Sequence, residues 1–213
     1  MIIYGKQLFL HLLEHYPSKL QTVFLSKKCD PKLFSRIAKA TSKICSIDER
    51  KAQALCHGGN HQGFIAEIEA MNLTPFNEIK HGSFLVVLDE VTDVGNIGAI
   101  VRSAYAFGAD GLILSGVKSC NLEAILRTSS AAAFELPIAL CHSTRDMLNE
   151  LKQMGFTLYG ADMGGEDVKD VSFPSKKALV MGSEGKGLSP KIKERLDKII
   201  SIKMARAFDS LNV

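Results

Sequence analysis

Two stretches near the C-terminal end carry residue types that could build a ligand site. Residues 178–190 read A-L-V-M-G-S-E-G-K-G-L-S-P. The apolar start predicts a buried strand, and Gly182, Gly185 and Gly187 leave bare backbone just beyond it, where amides can approach a small molecule closely. Residues 200–213 read I-S-I-K-M-A-R-A-F-D-S-L-N-V. They predict a second strand over 199–204 that runs into Ser210, Leu211 and Asn212 as the other wall of the same pocket.

Other glycine and histidine clusters are excluded by spacing. A dinucleotide fingerprint needs G-x-G-x-x-G after the first strand, whereas residues 95–98 read G-N-I-G. A P-loop needs four residues between its first Gly and the Gly-Lys pair, and G-S-E-G-K-G over 182–187 offers two. Cys56, His57 and His61 fall in C-H-G-G-N-H-Q-G, where glycines break any helix that would align them, so a glycine-rich turn is the expectation rather than a metal site. The five cysteines are never spaced C-x-x-C, which predicts buried, reduced thiols.

The elements that must position such a site follow from periodicity. Beyond residue 83 the pattern alternates strand and helix, which predicts an α/β domain with a mainly parallel sheet. Strands are expected at 84–88, 112–114, 136–140, 157–161 and 178–181. Helices are expected at 96–107, carrying Arg102 on its second turn, around 122–128, and up to Met154 with Thr144 as its cap. The first eighty residues predict a smaller α/β unit with helices at 6–15 and after Asp30-Pro31, and strands at 22–25, 44–47 and 63–68. Pro, Asn and Gly cluster without periodicity over 72–82, which predicts a linker between domains 1–71 and 83–213.

Composition bounds the rest. With 213 residues, 46% hydrophobic and 23% charged, the chain can bury a core of ordinary size. No apolar run approaches a membrane span and no signal-peptide layout opens the chain, so a cytoplasmic location is expected. The net charge of +3 is uneven: residues 1–80 hold 11 Lys/Arg against 7 Asp/Glu. Lys32, Arg36, Lys39 and Lys43 form a stripe beside the apolar positions Leu33, Ile37, Ala40 and Ile44. Such a stripe is an RNA-contact surface if its neighbouring domain handles nucleic acid, and a solvated helix face otherwise.

Three segments together carry a resemblance. L-D-E-V-T-D-V-G-N-I-G-A-I-V-R-S-A (88–104), L-V-M-G-S-E-G-K-G-L-S (179–189) and I-K-M-A-R-A-F-D-S-L-N-V (202–213) closely resemble, in order and spacing, the three motifs of the SpoU, or TrmH-like, RNA ribose 2′-O-methyltransferases. The N-terminal unit, with G-G-N-H-Q-G near its end, is similar to that family's L30e-like substrate-binding domain. The resemblance implies a trefoil-knotted methyltransferase domain that binds S-adenosyl-methionine, acts as a homodimer and uses no metal. Its cofactor positions fall on Gly182, Ile202, Met204 and Leu211, and its catalytic positions on Asn96, Arg102, Glu184, Ser210 and Asn212.

The two-domain form is most similar to 23S rRNA guanosine 2′-O-methyltransferases, with a tRNA guanosine enzyme and a catalytically weak RNA-binding homologue as alternatives. Arginine has a pKa above 12, so a neutral guanidinium near pH 7 costs roughly 7 kcal/mol. Arg102 is therefore expected to bind an RNA phosphate and stabilise a developing alkoxide rather than take the proton. Lys203 and Arg206 replace a proline and a glycine usual in the third motif, and a C-terminal helix typical of such enzymes is expected to be missing after Val213.

Overall fold

The computed structural model describes residues 1–206. They form two units: Met1–Asn72 with Leu122–Ala131, and Leu73–Asn121 with the chain from Ala132 onward.

The first unit contains β1 (Ile2–Tyr4), α1 (Lys6–His15), β2 (Leu20–Leu25), α2 (Pro31–Ala40), β3 (Ile44–Ser46), α3 (Glu49–Leu55) and β4 (Phe64–Ile68). Its sheet runs in the order β1-β4-β2-β3, with β4 antiparallel to β1 and β2, and β3 parallel to β2. In α1 the apolar residues Leu8, Phe9, Leu12 and Leu13 recur at helical spacing and are buried. Phe9 stacks on Phe64 with ring centroids 5.2 Å apart, and burial of one such side chain stabilises by about 1.5–3 kcal/mol.

Asp30 starts α2, its carboxylate accepting from the backbone N–H groups of Lys32 and Leu33, and Pro31 fits the first turn. The helix stops at Ala40, with Thr41 as its C-cap. Lys32, Arg36 and Lys39 are therefore exposed on α2, whereas Lys43 is exposed on the connection to β3. The four-residue stripe is three cations on a helix and one beyond its end. The sequence pattern did not show β1 or α3: the first is three residues long, and the second buries a single residue, Ala52.

The second unit begins with α4 (Phe76–Ile79), β5 (Phe84–Asp89), α5 (Val94–Ala106) and β6 (Gly111–Ser115). The chain then enters the first unit through α6 (Leu122–Thr128), where the Arg127 guanidinium lies 4.6 Å from the Tyr4 ring centroid. It returns for β7 (Ile138–Cys141), α7 (Thr144–Gln153), β8 (Thr157–Asp167), β9 (Lys177–Gly182), α8 (Pro190–Lys193) and β10 (Lys198–Ser201). All pairings of its six-stranded sheet, β10-β8-β9-β5-β6-β7, are parallel. A sheet covered on both faces explains the near-continuous apolar runs of β5 and β6. Its core includes Leu85, Val87, Ile113, Leu148, Leu158 and Val180.

Several local expectations change. Residues 72–82, expected as an irregular linker, contain α4, and Ile79 joins the core at 4% exposure. Phe76 and Ile79 are too few to register as periodicity. Ser143, not Thr144, caps α7, its Oγ accepting from Asp146 N–H at 3.3 Å. The last strand ends at Ser201 instead of reaching Met204. All five cysteines are free, but only Cys56 is buried: Cys29, Cys120 and Cys141 are half-buried, and Cys45, on the edge strand β3, is exposed.

Candidate active site

The β5 register places Asp89 beside Gly182 of β9 on one side and Ser115 of β6 on the other. From β5 the chain proceeds to β6 and β7 in one direction, while β9, β8 and β10 lie in the other. An open parallel sheet has its ligand crevice at such a reversal, which here falls at the carboxyl ends of β5 and β9.

Gly182 is fixed by backbone. A Cβ there would stand 2.2 Å from the carbonyl carbon and oxygen of Gly187 and 2.6 Å from Leu188 N. The loop closes on itself through Gly187 N–H donating to Ser183 O at 2.9 Å, with Gly185 at φ +79° and Gly187 at φ +60°. Only glycine takes these conformations without strain. Glu184 is exposed within this loop. Asp162 of β8 reaches the same loop: its Oδ2 lies 3.4 Å from where a Gly187 Cβ would stand and 2.7 Å from Lys193 Nζ.

Helix α5 leaves the crevice from its N-cap Asp93, whose carboxylate accepts from Asn96 N–H at 2.8 Å. Asn96 is thus held in the first turn, half-buried. Arg102 stands six residues on, roughly 9 Å along the axis, and is exposed with no carboxylate within ion-pair distance among the described residues. Ile202, 64% exposed, and the half-buried Met204 follow the carboxyl end of β10, two strand positions from β9. The fold therefore brings Gly182, Glu184 and Asn96 to one end of the sheet, with Ile202 and Met204 at the end of an outer strand. Ser210, Leu211 and Asn212 lie outside the described residues, and Lys32, Arg36, Lys39 and Lys43 belong to the first unit.

Sequence reasoning missed a buried polar chain beside the crevice. Ser115 Oγ donates to Thr144 Oγ1 at 2.8 Å, and Thr144 Oγ1 donates to Asp89 Oδ1 at 2.6 Å. Burial pushes the Asp89 carboxyl above its ordinary range, against the Thr144 hydrogen bond, with Glu90 adding to the rise. An aspartate closing an otherwise apolar strand was the signal available for it. Burial also pushes the Cys56 and Cys141 thiols up to about 11, which makes them poor nucleophiles. Among the described residues no three His, Cys, Asp or Glu side chains group as a metal site. His61 is buried, accepting from Gly63 N–H at Nδ1, so its ring proton sits on Nε2 and faces Glu49 Oε1 at 3.1 Å.

The geometry is that of a backbone-lined crevice with an exposed arginine on the neighbouring helix, and the model of the SpoU rRNA Methylase family matches residues 83–213. The chain belongs to that family. The SpoU match is preceded by one over residues 2–74 to a family described as RNA 2'-O ribose methyltransferase substrate binding. An uncharacterised tRNA/rRNA methyltransferase of Archaeoglobus fulgidus is 31% identical over 201 residues, covering 92% of this chain and 86% of that protein. The 23S rRNA (guanosine-2'-O-)-methyltransferase RlmB of Pseudomonas putida is 29% identical over 223 residues, covering 99% and 90%. Among solved structures, the SpoU methyltransferase AviRb from Streptomyces viridochromogenes in complex with AdoMet superposes with a TM-score of 0.77 at 25% identity, covering all of this chain and 84% of that one.

Proposed function

We propose that this chain transfers a methyl group from S-adenosyl-methionine to the 2′-hydroxyl of a ribose, a guanosine of 23S rRNA, in the cytoplasm. The observation that carries the reading is the Gly182 cradle at the switch point, with Asn96 and Arg102 on the helix leaving the adjacent strand. The crevice fits the cofactor because its wall is backbone: a Cβ on Gly185 would meet nothing within 4 Å, and one on Gly187 only Asp162. Gly182, Ile202, Met204 and Leu211 would hold the cofactor, which supplies an electrophilic methyl group on a sulfonium. No metal is needed for that displacement, only a positioned hydroxyl and an outlet for its proton.

Arg102 serves as the RNA-phosphate ligand and stabilises charge developing on the ribose oxygen. Asn96 and Glu184 orient the hydroxyl, with Ser210 and Asn212 completing the site. Residues 1–71 bind the RNA and residues 83–213 carry the methyltransferase site, a division supported by the two family matches. The likeness to the Pseudomonas enzyme supports 23S rRNA. A homodimer and a threaded C-terminal segment are part of the proposal. The dimer is supported by Tyr105 and Phe107, 48% and 81% exposed at the end of α5.

Calorimetric titration with S-adenosyl-methionine, followed by labelled-methyl incorporation into unmodified 23S rRNA, tests the proposal. Cofactor binding and one alkali-resistant 2′-O-methylated position are expected. A chain that binds neither cofactor nor rRNA would overturn it.

A further inference from the structure

Helix α1 carries a pair of histidines that the methyl-transfer site does not use. Leu8, Phe9, Leu12 and Leu13 turn one side of the helix into the core, and beside that face His11 is half-buried and His15, one turn on, is exposed. Residues four apart on a helix have Cβ atoms about 5–6 Å from each other. The two imidazoles lean together across that gap, with ring centroids 4.5 Å apart and planes at 43°. The Tyr16 ring borders both, 6.1 Å from His11 and 6.4 Å from His15. Tyr16 N–H donates to Leu12 O at 2.8 Å, so the turn that bears His15 is closed by backbone.

Rings held side by side in this way have the separation that one metal ion asks for. With metal–nitrogen bonds of about 2.0 Å, two imidazoles meeting an ion at a right angle have centroids about 4.5 Å apart, whereas a tetrahedral angle spreads them to about 5.2 Å. The right angle is the bite of tetragonal copper(II) and nickel(II). Residues 11–15, H-L-L-E-H, also have the spacing of one class of zinc-hydrolase helix. That chemistry does not fit, because a catalytic zinc takes three protein ligands and among the described residues no third His, Cys, Asp or Glu joins the pair. Water completes the shell instead. A protonated His15 in the last turn would favour the helix dipole, but that role has no need of a second imidazole beside it.

We infer that His11 and His15 form a site for one divalent transition-metal ion of the copper or nickel type, which clips together the last turns of α1. An ion bound only by the folded helix stabilises the chain as its concentration rises. The site is independent of methyl transfer, so either reading can fail without the other.

The test uses the full chain without a histidine tag, stripped by chelator and titrated calorimetrically with nickel chloride and, separately, copper chloride. One ion per chain is expected, with copper the tighter, and the copper form should show nitrogen hyperfine structure in its electron paramagnetic resonance spectrum. Saturating nickel should raise the melting temperature, and EDTA should return it. His15→Ala should weaken binding by more than the roughly tenfold that even an outer-shell partner is worth, and should erase the melting shift. Alanine is the strongest helix former, so circular dichroism of this variant should show the helix intact and assign the loss to the missing ligand. His11→Gln should act in the same way. His57→Ala and His81→Ala, at exposed histidines elsewhere, should change neither readout. Ion binding that survives His15→Ala, binding that His57→Ala or His81→Ala abolishes, or a wild type that takes up neither ion would overturn the assignment.

Discussion

Each unit has a glycine-bearing turn, and the two turns use glycine for different reasons. In the second unit the space beyond Gly182 is filled by the backbone of Gly187. In the first, the space beyond Gly59 is filled by the Tyr4 ring, whose Oη would lie 2.3 Å from an added Cβ. A backbone held by a closed loop has nowhere to go, whereas a ring at the end of a side chain can swing. The Gly182 turn of the second unit is thus a shape enforced by main chain, and the Gly59 turn of the first is a display of side chains on a tolerant frame. Damage to the first should abolish a site; damage to the second should grade an affinity.

Gly182→Ala sets the upper limit of that contrast. Its methyl cannot be accommodated without opening the 183–187 loop, at a cost of about 3 kcal/mol in stability. Cofactor binding should fall below detection in calorimetry. A variant that binds S-adenosyl-methionine normally would show that the loop yields, and the distinction between the two turns would collapse.

Arg102→Ala comes next. Loss of one charge-stabilising donor typically costs 10²–10³-fold in turnover, and because Arg102 stands exposed on α5, away from the Gly182 loop, cofactor affinity should hardly change. Arg102→Lys should remain impaired, since a point ammonium lacks the guanidinium fork. Single-turnover assays beside titrations separate the two effects, and parallel losses of turnover and cofactor affinity would move Arg102 into the cofactor site.

The graded surface predicts smaller, additive losses. Changing Lys32, Arg36 and Lys39 together to Gln should lower the salt slope of RNA binding by about 0.7 for each phosphate the helix no longer holds, and leave the fold intact. Lys43→Gln, beyond the end of α2, should act independently of the three. An unchanged slope in the triple variant would return α2 to a plain solvated face.

Gly59→Ala should cost about 1 kcal/mol, the scale of the cation–π contact that Tyr4 gives up with Arg127 when its ring moves. Thermal unfolding measures it. A loss as large as that of Gly182→Ala would show that the Tyr4 ring is as immovable as backbone.

What the sequence made legible follows the same division. Helix α1 was readable from its apolar periodicity and β5, β6 and β9 from their continuous apolar runs, whereas β8 continues past the expected 161 to Asp167 and β10 stops at Ser201 short of the expected 204. The Gly182 loop was readable because three glycines in six residues have few other uses. The Ser115-Thr144-Asp89 chain was not readable, because it joins residues 29 and 55 positions apart, and only the sheet register brings them together. The excursion of α6 into the first unit is likewise a tertiary fact, invisible to a boundary drawn from composition. Lys43 was misplaced by extending helical periodicity past Thr41, whose extended backbone at φ −147° ends the helix.

The smallest expected effect concerns Asp89, buried where β5 meets the crevice. Its carboxyl is raised above the ordinary 3.8, chiefly by burial, so folding favours the protonated form. Below the unfolded-state pKa the group costs nothing, because both states carry the proton. As pH rises through that value and then through the higher folded-state value, ionisation in the folded chain costs stability that the unfolded chain does not lose. Asp89→Asn keeps an acceptor for the Thr144 hydroxyl and removes the titration. Its melting temperature relative to the wild type should therefore rise as pH goes from about 4 to 7. The slope matters more than the offset, since the new amide must also find a partner. A difference that instead falls with rising pH would mean that a cation stabilises ionised Asp89, and the crevice would then be an electrostatic site as well as one shaped by backbone.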